Sequence, residues 1–171
     1  MRHARSKPKL GNVFIVPTGD GRAGVGQVVA AYGKDALFFA IFDFVLPLDE
    51  VAERAVGGLS APVLFLALSV DAKLYAGHWT VVAQAPVNPA IPLPAYKEAV
   101  NLPTNVEVVD FSGERRRPAT AAEAASLPNR KIVAPVRLER ALRAALGLEP
   151  WLAPFDELRV ENVVPSASVF R

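Results

Sequence analysis

The 171-residue sequence predicts a single α+β domain: a strongly bent, mainly antiparallel sheet, barrel-like at its most closed, with C-terminal helices packed against it. Three observations predict it. Short apolar runs rich in Val, Ile, Leu and Phe fill the front of the chain, separated by Gly- and Pro-bearing turns. Capped helical patterns gather after Thr120. No repeat, low-complexity block or linker divides the chain, and its length suits one core.

The elements follow in order. "GNVFIVP" is a strand ended by Pro17; "VGQVVAAY" and "DALFFAIFDFVL" are two more, separated by the turn "GKD". "PLDEVAERAVGG" suits a short helix, with Asp49 and Glu50 in its first turn and Gly57 at its end. "PVLFLALSV" is a strand closed by Asp71 and Lys73, and Trp79 to Ala83 is another. The crossing "PVNPAIPLP" is too proline-dense for a helix or a central strand. "NVEVVDFSGE" is a strand running into a turn.

"TAAEAASLP" opens with a capping box, Thr120 and Glu123. "PVRLERALRAALGLEPW" is the clearest helix: Pro135 in its first turn, Leu138, Leu142 and Leu146 on one face, Gly147 at its end. Arg137, Arg140 and Arg143 occupy another face, where Glu139 is spaced to pair with Arg143. "FDELRVENVV" suggests a last helical turn and strand.

The stretch "GDGRAGVG" contains G-x-G-x-x-G at Gly19, Gly21 and Gly24, with Asp43 where a dinucleotide-binding fold puts its ribose acid. Pro17 and Thr18 separate the preceding strand from the first glycine, however, and the helix that would follow has room for only about nine residues, short for a crossover. Valines clustered between Gly26 and Ala30 favour an extended chain. "GDG" between apolar runs therefore predicts a hairpin turn rather than a phosphate cradle.

Composition bounds the function. Apolar residues make up 51% of the chain, yet no run reaches the roughly 20 residues of a membrane-spanning helix. The basic start lacks the apolar segment of a secretory signal, so no membrane and a cytoplasmic location are expected. Without cysteine there is no disulfide, thiol catalysis or thiolate metal site. Of 19 basic side chains, Arg2, Arg5, Lys7 and Lys9 lie in the first nine residues, leaving 15 against 17 acidic ones, a net of −2. Residues 1–9 are accordingly expected to form a basic, disordered tail, and residues 10–171 the domain.

The chemistry-bearing residues are sparse. His3 lies in the tail, so His78 is the histidine of the fold, too few for a binuclear metal site. Asp43, Asp49, Glu50 and Glu53 lack any cation-loop signature, and neither metal nor cofactor is expected. No G-x-S-x-G elbow occurs. His78 beside Trp79 is the one candidate for general acid–base work, set against a packed aromatic strand with a polar neighbour. "ERRRP", with Arg115, Arg116 and Arg117, is the densest basic cluster, but only Phe111 lies near it, which favours a solvated turn over a nucleic-acid interface. Phe38, Phe39, Phe42 and Phe44 alternate along a buried strand as core.

Three blocks in this order resemble the immunity protein 26 family of bacterial polymorphic-toxin systems: "GNVFIVPTGDGRAGVGQVVAAY", "AGHWTVVAQAPVNPAIPLPAYK", and "VVDFSGERRRPATAAEAASLPNRKIVAPVRLERALRAALGLEPWLAPFDEL". The likeness runs from about Leu10 to Glu161 and departs at Gln84 and Ala85, where a glycine is expected before the proline. It implies a cytoplasmic protein that binds and neutralises a cognate toxin through a complementary surface and needs no catalytic group. Some family members carry a phosphotriesterase label, which makes an organophosphate hydrolase or esterase the enzymatic alternative, with His78 as its catalytic residue. A small nucleic-acid-binding module stands third. The expected contact residues are Asp20 and Arg22 at the hairpin tip, His78 and Trp79 beside the proline-rich crossing, and Arg115, Arg116 and Arg117. Trp79 and Trp151 are expected to serve the core more than a contact surface. Homo-oligomerisation is left open.

Overall fold

Strand alternation sorts the front of the chain into two apolar faces. The computed structural model describes residues 6–101 and 105–171. In it β1 (Asn12–Pro17), β2 (Arg22–Tyr32), β3 (Ala36–Pro47), β4 (Val63–Ser69) and β5 (Thr80–Gln84) pair antiparallel throughout, in the order β4-β3-β2-β1-β5. Register shifts in the β1–β5, β2–β3 and β3–β4 pairings bend the sheet. It stays open, because β4 and β5 remain its two separate edges.

One face carries Phe14, Val16, Val28, Phe39 and Ile41 against Leu138, Ala141 and Leu142 of α4 (Pro135–Ala145) and against Phe155. The C-terminal helix thus packs where the leucine stripe predicts. The opposite face is shared. Val13, Ile15, Val25 and Leu46 meet Val51 and Ala55 of the segment 48–60, which is a turn of α-helix, α1 (Val51–Arg54), between two 3-10 turns. Phe38, Ala40 and Phe42 meet Tyr96 and Val109 of a second sheet, together with Val87, Ile91 and Leu93 of the proline-rich crossing. The four phenylalanines of β3 are core, as expected, although Phe44 is only half-buried.

The second sheet has the order β6-β7-β8, with β6 (Tyr96–Asn101), β7 (Asn105–Val109) and β8 (Arg116–Pro118). Arg130 fastens it to the first. Its guanidinium lies 3.6 Å from the Tyr32 ring centre and 4.5 Å from that of Tyr96, and it donates to the carbonyls of Phe111 and Asp110 at 2.8 and 3.0 Å. Burial pushes the Tyr96 phenol up to about 12 against the opposing pull of Arg130.

"GDG" turns the chain into a hairpin. Pro17 pairs with Ala23, and β2 is a strand where the phosphate-loop reading needs a helix. The turn is not the Asp-Gly primed type: Gly19 and Gly21 take φ +84°, while Asp20 between them stays at negative φ.

Ahead of β1, Lys7 donates to the Lys34 carbonyl and pairs with Asp35 at 3.3 Å. Arg2, His3 and Arg5 lie outside the described residues. Helices α2 (Ala72–Ala76) and α5 (Ser166–Val169) and strands β6 and β8 form where the sequence reading places turns or nothing. The capping box of α3 (Ala121–Ser126) forms as expected, with Thr120 and Glu123 bonded both ways at 3.1 Å. The expected last strand is instead two 3-10 turns, Ala153–Leu158 and Val160–Asn162, with single bridges from Arg159 to Phe65 and from Pro165 to Pro94. Among the described residues no helix is long and apolar enough to cross a membrane.

Candidate functional site

A cleft of about 560 Å³ opens where β5 begins. Three pieces of chain build it. Ser6, Lys7 and Pro8 form one lip, Asp35 of the β2–β3 turn lies beside them, and α2 supplies Leu74 and Tyr75, flanked by Asp71 and Gly77. Thr80 and Val81, the first residues of β5, continue the wall along the sheet edge.

The local sequence explains α2. Asp71 precedes "AKLYA", and Gly77 takes φ +81° to close the helix. Leu74 turns inward and is buried, while Tyr75 is 74% exposed. Beneath lies Trp79, stacked on Phe14 at 5.3 Å between ring centres and edge-on to Phe39 at 5.8 Å. Its indole N–H donates to Glu139 Oε1 at 3.2 Å, and Lys73 pairs with the other oxygen of that carboxylate at 3.1 Å. Glu139 of α4 therefore ties down both the cleft floor and the helix α2. The Glu139–Arg143 pair expected from spacing is absent, because the tertiary partners of Glu139 are closer at hand. Arg143 turns instead to Glu149 and to the Thr18 carbonyl.

Among the described lining residues two carboxylates, Asp35 and Asp71, stand against one ammonium, Lys7. Lys7 is matched by Asp35 at 3.3 Å, and the Asp71 carboxylate accepts no hydrogen bond among the described residues. Tyr75 and Val81, the latter 41% exposed, add aromatic and aliphatic surface.

The sequence-derived site residues fall in three places. At the β1–β2 tip, Asp20 and Arg22 pair with each other at 2.5 Å, and Thr18 Oγ1 donates to the same carboxylate at 2.5 Å. The Arg22 guanidinium, then the Thr18 hydroxyl, holds the Asp20 carboxyl down at about 2. Arg115, Arg116 and Arg117 lie on and before β8, each facing acid: Asp110 at 3.7 Å, Glu98 and Glu107 at 3.3 and 3.9 Å, and Glu123 at 2.8 Å. Arg117 holds the Glu123 carboxyl down at about 2, with the Thr120 N–H adding to it. Arg115 and Arg117 also stand 4.9 and 5.6 Å from the Phe170 ring centre.

His78 sits in the turn between α2 and β5. It is exposed, and its backbone N–H donates to Lys73. Its imidazole has no hydrogen bond or ion pair among the described residues. Trp79 is 1% exposed, as the core expectation has it. Only Trp79 of the sequence-derived set reaches the cleft, and only as floor. Sequence reasoning missed Asp71 and Tyr75. An acid at the start of "DAKLYAG" and a glycine at its end were the available helix signals. No group of three or more His, Asp or Glu side chains able to hold a metal ion forms among the described residues.

No family model, curated protein or solved structure matches the chain.

Proposed function

We propose that the chain is a non-enzymatic immunity protein that binds a cognate bacterial toxin and neutralises it in the cytoplasm. The observation that carries this reading is the cleft of about 560 Å³ with aromatic and apolar walls, open onto the start of a sheet-edge strand. Protein partners anchor in such places, where a side chain enters a pocket and the surrounding rim keeps its polar character. The ordered likeness of the hairpin, the Gly-His-Trp strand and the capped C-terminal helices to toxin-immunity proteins supplies the class of partner. The arginines at 115–117 face Asp and Glu rather than a common surface, which weighs against nucleic acid as the ligand.

The test is rescue. The product of the gene adjoining this one is expressed in a bacterial host with and without the chain, and the two proteins are mixed on a sizing column. Rescue of growth and co-elution are the expected results. Saturable hydrolysis of a chromogenic phosphotriester or carboxyl ester, lost in His78→Ala, refutes the non-enzymatic reading and assigns the chemistry to the α2–β5 turn.

A further inference from the structure

We propose that a cavity between the two sheets binds a small organic anion, an apolar body bearing one carboxylate, whose head accepts a hydrogen bond from Tyr96 beside Arg130. This site shares no lining residue with the cleft at β5 and does not depend on the toxin reading.

The cavity measures about 380 Å³, a size that suits a small molecule. Leu66 and Leu68 of β4 line one wall, and Ala95 and Tyr96, where β6 begins, line another. Later chain holds both walls in place. Val133 donates to the Leu68 carbonyl at 2.9 Å, and its own carbonyl accepts from Ser69 Oγ at 2.7 Å. Ala95 donates to the Val164 carbonyl at 2.8 Å, and Lys97 to that of Pro128 at 2.9 Å. The walls are therefore fixed before a ligand arrives, which spares the cost of ordering them.

Two groups here lack the partner that a carboxylate supplies. Tyr96 is 7% exposed, and its hydroxyl makes no hydrogen bond among the described residues. Every fully sealed side-chain N or O atom among the described residues has a partner, so this hydroxyl touches open space, and the cavity is the space that Tyr96 lines. Burial pushes the phenol up to about 12, so at neutral pH it keeps its proton and donates. The Arg130 guanidinium, 4.5 Å from the Tyr96 ring centre, donates to two carbonyls and faces no carboxylate among the described residues. Glu157 is the one acid among the described lining residues, and it already pairs with Lys131 at 3.2 Å and Arg137 at 2.5 Å.

The ligand class follows. A carboxylate answers both the free hydroxyl and the surplus positive charge, whereas a cation meets Arg130 and Lys131. Leu66, Leu68, Val133 and Leu158 take the apolar body, which a bare inorganic ion lacks.

The probe is γ-phenylbutyrate, titrated into the isotope-labelled full chain and followed by amide chemical shifts. Saturable shifts centred on Tyr96, Lys131 and Val163, with Kd below about 1 mM, are expected. The matching alcohol, the matching amine and acetate each bind at least about tenfold more weakly. Tyr96→Phe removes a hydroxyl that no described group uses, keeps the ring against Arg130, and weakens the anion about tenfold. Lys131→Glu, at an exposed position on the rim, weakens it at least about threefold. The inference is overturned by absence of saturable shifts at about 10 mM, by shifts centred elsewhere, by equal affinity for the alcohol or the amine, or by an unchanged Kd in Tyr96→Phe. Equal affinity for acetate reduces the site to a bare anion contact and overturns the apolar body. If Tyr96→Phe alters the spectrum throughout the chain, Lys131→Glu decides, and an unchanged Kd there overturns the inference.

Discussion

Glu139→Ala removes the one carboxylate that holds both Trp79 and Lys73, and its cost follows from what it strands. The Trp79 indole N–H sits on a residue only 1% exposed, and its bond to Glu139 is 3.2 Å long. Leaving such a donor unpaired costs about 1–3 kcal/mol. The Lys73–Glu139 pair keeps about a fifth of each side chain exposed (21% and 18%), so its own loss adds only about 1 kcal/mol. Together these give about 2–4 kcal/mol, a large share of the 5–15 kcal/mol typical of a domain. Glu139→Gln keeps an acceptor for the indole and loses only the charge, so it costs about 1 kcal/mol. Urea unfolding followed by circular dichroism measures both. Hydrogen exchange adds a local readout: the Tyr75 amide, bonded to the Asp71 carbonyl at 2.8 Å, exchanges faster in Glu139→Ala as α2 loosens. Equal losses in the Ala and Gln variants, or a loss under about 0.5 kcal/mol in Ala, refute the claim that Glu139 organises the cleft floor.

Further outcomes follow from other contacts. A Cβ at Gly26 falls 2.4 Å from the Phe14 ring, which Trp79 and Phe39 pin from two sides, so Gly26→Ala costs about 1–3 kcal/mol in the same urea assay. Arg130→Ala strips two carbonyls and two tyrosine faces of their common partner and costs about 3–4 kcal/mol; Arg130→Lys recovers little, because an ammonium cannot replace the fork. Asp20 and Glu123 have folded carboxyl pKa values near 2, below their ordinary 3.8 and 4.5. Their contribution is therefore present above the ordinary values and is lost as pH falls towards about 2. Urea midpoints measured across that range fall, and Glu123→Gln flattens the slope; an unchanged slope removes Glu123 from the acid response.

Much of the fold is legible because its signals are local. The alternating phenylalanines of β3, the Thr120–Glu123 box and the leucine face of α4 each act within one turn or one strand. What the sequence reading misses depends on distant partners. β8 is "RRP", three residues that become a strand only because Val108 and Val109 lie opposite Arg117 and Arg116. Glu139 has a good helical neighbour in Arg143, yet tertiary packing offers it an indole and an ammonium, and each arginine of α4 finds a carboxylate beyond the helix.

The candidate site follows the same division. The charged residues most conspicuous in sequence, Arg115 to Arg117 and the Asp20–Arg22 pair, are the ones whose charge the fold consumes internally. A guanidinium already committed to a carboxylate gains less from a partner than an unmatched group does, because binding must first break what it replaces. Asp71 is inconspicuous in sequence, a single acid after an apolar strand, and comes to line a cleft with Lys7 and Asp35 only through the fold. The cleft is therefore lined from segments that hold no charge cluster, while the charge clusters are spent on internal pairs.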